Sequence, residues 1–154
     1  MTDLTGQPVP PANPMHSRAH ATAPAIRLAL MASSLDDPVD VVPRPVEQAA
    51  ADVERAGALG QECDYVALGE LLPGLLTDLY VHATGGGEAS RARGLRLLAG
   101  ACHAAYMQVK TLGYMDLAWM AAERHGAATA RLGDPVWSAM SEFLRAHMLL
   151  PAGC

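Results

Sequence analysis

Apolar residues recur along this chain at the three- and four-residue spacing of amphipathic helices, in one segment after another. The strongest stretch, Leu95 to Pro135, reads as two helices back to back. In the first, roughly Glu88 to Leu112, a rotation of about 100° per residue brings Leu98, Ala101, Cys102, Ala105, Val109 and Leu112 to one side. Arg96, His103, Tyr106, Met107 and Lys110 fall on the opposite side. The second helix, Asp116 to Leu132, is rich in alanine nearly all round, so neighbours can pack on more than one of its faces. Gly113 is placed to end the first helix, Asp116 to cap the second and Gly133 to end it. Asp134-Pro135 then opens a last helix reaching Leu149 or Leu150, with a stripe of Val136, Met140, Phe143, Leu144, His147 and Met148. Such a helix at the end of an array lacks a capping partner.

Upstream the pattern predicts three more helices. Ala25 to Ser33 turns Ile26, Ala29 and Leu30 inward and stops at Asp36-Asp37-Pro38. The stretch from Val41 to Pro45 is a linker. Val46 to Leu59 follows, with Ala49, Ala50, Val53 and Ala56 as its stripe and Gly60 as its end. Asp64 caps a helix running from Tyr65 to about His82, and Pro73 inside it predicts a kink or a split. Residues 1–23 read as a disordered tail, broken by Pro8, Pro10, Pro11 and Pro14. The expected architecture is therefore all-α: an array of antiparallel helix pairs, about six helices over residues 24–153, behind that tail.

Composition narrows the functions available. The chain of 154 residues has few aromatics and a net charge of −5, with ten acids against two bases in residues 36–87. Phosphate contacts need concentrated Lys and Arg, so direct nucleic-acid binding is not expected. Cys63, Cys102 and Cys154 are widely spaced and odd in number, which fits neither a disulfide framework nor a zinc ribbon and points to a reducing cytoplasm. No apolar run reaches the length of a membrane span. Gly85-Gly86-Gly87 has neither the preceding strand nor the following Lys-Ser/Thr of a phosphate loop. His16 and His20 have the spacing of a metal pair but sit in the Pro-rich tail. Glu123 and His125 lie on different helix faces, so no nucleophile–base pair, metal site or cofactor site is predicted. The candidate that remains is the polar stripe Arg96, His103, Tyr106 and Lys110, with Ala99 and Gly100 small enough for a ligand to approach. There Arg and Lys would hold a carboxylate and Tyr would act as platform and donor.

Helix pairs of this kind resemble tetratricopeptide repeats, and Leu112-Gly113 and Ala130 five before Pro135 fit part of that pattern. A closer resemblance is to the C-terminal region of actinobacterial helix-turn-helix regulators of the XRE type. It rests on Asp64-Tyr65-Val66-Ala67-Leu68 with Leu71-Leu72-Pro73-Gly74-Leu75-Leu76, and on Ala101-Cys102-His103-Ala104-Ala105-Tyr106. Leu112-Gly113-Tyr114-Met115-Asp116-Leu117-Ala118-Trp119, Ala121-Ala122-Glu123-Arg124 and Arg131-Leu132-Gly133-Asp134-Pro135-Val136-Trp137 extend it. The resemblance implies a sensor or interaction module binding a small ligand, a peptide or a protein partner. No helix-turn-helix pattern precedes residue 44, so DNA binding is not carried over. The alternatives are a dimerisation or scaffold piece, pairing with a second copy, and a fragment of a longer regulator. An enzyme stands third.

Overall fold

The computed structural model describes residue 6 and residues 13–150. Its elements in chain order are α1 (Pro14–Ala21), α2 (Ala23–Ala32), α3 (Val46–Gln61), α4 (Tyr65–Thr84), α5 (Glu88–Thr111), α6 (Met115–Leu132) and α7 (Pro135–His147). All regular structure among the described residues is helical; short turns join the successive helices from α3 to α7, and residues 33–45 separate α2 from α3. One expectation falls outside these residues, the tail around Pro8, Pro10 and Pro11.

The tail reading needs correcting from Pro14 onward. Asn13 accepts from the Met15 amide at 3.0 Å and Pro14 occupies the first turn, where its missing N–H costs nothing. Ala19 is buried, and α1 packs on α4. Tertiary contact thus supports a short helix whose own propensity is poor. Of the two outcomes expected at Pro73, the split does not occur, since α4 is a single helix with the proline inside it. Its leucines Leu72, Leu75, Leu76 and Leu79 are wholly buried, and packing around that turn outweighs the lost hydrogen bond.

The joints follow from local chemistry. Asp64 accepts from the Ala67 amide at 3.1 Å and caps α4. Asp134 accepts from the Val136 amide at 2.9 Å and caps α7. Gly133 ends α6 with φ +66° and Gly113 follows α5 with φ +88°, a region costly for residues with a Cβ. Asp116 is not the cap of α6. That position belongs to Tyr114, and Asp116 in the first turn pairs with Arg27 of α2 at 2.8 Å.

The core is built around α5, which packs against α3, α4 and α6. Leu98, Ala101, Cys102, Ala105 and Val109 are fully buried, as the angular pattern predicts. Burial pushes the Cys102 thiol up to about 12, so it is an inert apolar filler. Gly94 lets α5 cross α4 closely, because a Cβ there would lie 2.5 Å from the His82 carbonyl carbon. The segment before α3 is pinned by Arg44. Its Nε donates to Asp78 Oδ2 at 2.6 Å, its Nη1 to Asp52 at 3.0 Å, and its carbonyl accepts from His82 Nε2 at 2.8 Å.

Candidate ligand-binding groove

A groove of about 540 Å³ lies between α3 and α5, closed at one end by the start of α4. Small residues on both walls create it. Ala56, Gly57 and Gly60 line the α3 side, and Gly100 and Ala104 face them from α5. Gly100 sets the separation, because a Cβ there would come within 3.0 Å of Val53 Cγ1. At Gly57 a Cβ would meet nothing within 4 Å, which marks open space. Leu68 and Met107 add apolar surface.

The polar lining comes from both walls: Gln61 of α3, Cys63, Tyr65 at the start of α4, and His103, Gln108 and Thr111 of α5. Gln108 is wholly buried and its Nε2 donates to the Tyr65 carbonyl at 2.7 Å, tying α5 to the first turn of α4. Its Oε1 has no hydrogen-bond partner, and a buried acceptor left so costs about 1–3 kcal/mol. His103, half-buried, lines the same groove. Its pKa is lowered, first by burial and then by His147, so the ring is neutral at pH 7. None of the side chains lining the groove is Asp, Glu, Lys or Arg. A second concavity, of about 550 Å³, lies beside α1 and shares Cys63, Tyr65 and Thr111 with the first.

The structure does not bring the predicted stripe together as one open face. Arg96 is exposed near the middle of α5. Tyr106 is wholly buried, donates to the Leu144 carbonyl at 3.2 Å and lies 3.1 Å from His147 Nδ1. Lys110 is 3% exposed and its Nζ donates to the Leu150 carbonyl at 2.9 Å. The reason is α7, which with the residues after it covers the C-terminal half of that face. Of the four, only His103 reaches the groove. Ala99 is packed in the core, whereas Gly100 stands in the groove wall.

Sequence reasoning missed Gln108, whose neighbours on α5 gave no sign that its amide would be enclosed. It also missed the polar contact between α6 and α7. His125 is 0% exposed and its Nδ1 meets Ser141 Oγ at 2.8 Å, while Thr129 Oγ1 meets the same hydroxyl at 2.7 Å. Either tautomer leaves Nε2 without a partner. The His103 ring stands edge-on to His125 at 6.5 Å between centroids. This Ser–His contact is not arranged as a nucleophile and base. Ser141 is buried and its hydroxyl is shared with Thr129, and no carboxylate orients the ring.

Compared with protein-family models, with curated proteins and with solved structures, the chain matches none of them. Among the described residues no helix is long and apolar enough to cross a membrane.

Proposed function

We propose that this chain is a ligand-binding sensor or interaction module, a binding rather than a catalytic protein, acting in the cytoplasm and related to the tetratricopeptide-like sensory region of XRE-type regulators. The groove between α3 and α5 carries the proposal. Its volume falls within the roughly 300–1,000 Å³ of small-molecule sites, and it combines a mostly apolar lining with a few polar groups. The ligand site accordingly moves from the predicted stripe to the neighbouring face of α5, keeping His103.

The neutral dye Nile red tests this reading. Its fluorescence should rise on binding the native chain and stay at the background level with Gly57→Leu. Leucine there fills open space and replaces a glycine in a helix interior, which stabilises the fold by about 1 kcal/mol. Equal fluorescence in the two proteins would overturn the proposal.

One observation favours a second reading. Val136, Met140 and Phe143 form an apolar stripe on the outer side of α7, at 76%, 40% and 57% exposure. Pairing with a second copy would cover it, making the chain a dimerisation or scaffold piece. Light scattering decides: a dimer that Phe143→Glu turns into a monomer supports this reading, and a native monomer removes it.

A further inference from the structure

The lining of the groove is graded along its length, and the gradient defines a class of ligand, an inference that rests on the reading of the groove as a binding site. At one end α3 and α5 come close, since a Cβ at Gly100 would lie 3.0 Å from Val53 Cγ1. At the other end the bond from Gln108 to the Tyr65 carbonyl ties α5 to the start of α4. Val53 and Gln61 are eight residues apart on α3, which at about 1.5 Å per residue makes the groove about 12 Å long. Toward the Val53 end the walls are Ala56, Gly57, Gly100 and Ala104, none with a polar side-chain atom, and they suit a hydrocarbon body. At the far end stand Gln61, exposed, and Thr111, half-buried, side chains that both donate and accept hydrogen bonds. An ion has no counterpart along this length, because no charged side chain lines it and the His103 ring in its wall is neutral. Asp64 stands outside, lining the neighbouring concavity and committed to the cap of α4. An anion is opposed further by the ten acids against two bases of residues 36–87.

We infer that the groove between α3 and α5 binds uncharged amphiphiles of the medium-chain alcohol type, with the hydrocarbon body toward Val53 and Gly100 and the hydroxyl at the end marked by Gln61 and Thr111.

Displacement of Nile red from the full chain at pH 7 tests this with three probes of one chain length: 1-octanol, octanoate and octylammonium. Octanol should displace the dye at about tenfold lower concentration than either ion, which must shed hydration among uncharged walls. Hexanol should need about fifteenfold more than octanol, the worth of two buried CH2 groups. Gln61→Lys, an exposed change in the last turn of α3 where a cation suits the helix dipole, puts a positive charge at the polar end. It should improve octanoate about threefold and leave octanol unchanged, whereas Gln48→Lys, the same charge on an exposed position toward the opposite end of α3, should not improve it. Displacement by either ion within about threefold of octanol's concentration overturns the ligand class. An octanoate gain that is absent in Gln61→Lys, or equal in the two lysine variants, overturns the orientation. Dye binding that Gly57→Leu leaves unchanged refutes the groove itself. Dye binding that Gly57→Leu abolishes, with octanol and the ions alike in the native chain, refutes only the ligand class.

Discussion

Acidification should undo the seam between α6 and α7 through His125. The ring is wholly enclosed, bonded at Nδ1 to Ser141 and faced by His103 across 6.5 Å. Burial first, then the charge of a protonated His103, lowers its pKa from 6.5 to about 4. Because the folded value lies below the unfolded one, the neutral form is the one that folding favours. Its contribution is whole above pH 6.5 and is lost as pH falls toward 4, where the unfolded chain holds a proton that the folded chain refuses. At about 1.4 kcal/mol per pH unit the full loss is about 3 kcal/mol, and roughly 2 kcal/mol of it falls between pH 7 and pH 5. Urea unfolding at pH 7, 6 and 5 measures this, with His125→Gln as the reference because glutamine can still meet Ser141 and does not titrate. The native chain should lose about 2 kcal/mol more than the variant over that range. Parallel losses would refute the reasoning, showing that the ring is protonated in the folded chain as readily as in the unfolded one.

Three further outcomes follow from contacts described above. Gly94→Ala puts a methyl 2.5 Å from the His82 carbonyl carbon, and since backbone cannot yield, thermal melting should show a loss of about 3 kcal/mol; a change under 1 kcal/mol would mean that α4 and α5 are not so closely crossed. Asp78→Ala frees the Arg44 guanidinium and its amide, and a cost of about 2 kcal/mol is expected in urea unfolding, against no measurable change for Glu47→Ala, whose ion pair with Arg93 lies in solvent. Tyr106→Phe removes the hydroxyl bond to the Leu144 carbonyl, and should cost about 1 kcal/mol and speed hydrogen exchange in α7 more than in α4.

How far the fold was legible depended on whether the deciding force acted locally. Helix positions from Val46 onward could be read because periodic leucines and alanines, Asp64, Asp134 and the glycines at 113 and 133 carry their instructions within a few residues. The boundary at Pro14 could not, because α1 exists by virtue of Ala19 reaching α4, far away in the chain. Pro73 leaves α4 unsplit for the same reason: a local breaker is overruled when its helix buries leucines on every turn. Arg44 looked like an ordinary linker residue, and only Asp52, Asp78 and His82 arriving together reveal its role.

The binding face failed differently. Angular sorting of α5 correctly separated its two sides, but a side rich in polar atoms is a solvent face only if no other element covers it. Here α7 returns over Tyr106 and Lys110, and each spends its polar atoms on that chain segment, the Leu144 and Leu150 carbonyls. The open space lies one face round, where glycine and alanine leave a gap that larger side chains would have closed. Gaps of that kind are made by missing side chains, whereas periodicity registers only those present. A central helix with several neighbours therefore shows where it leaves open space through its glycines, and on α5 that residue is Gly100.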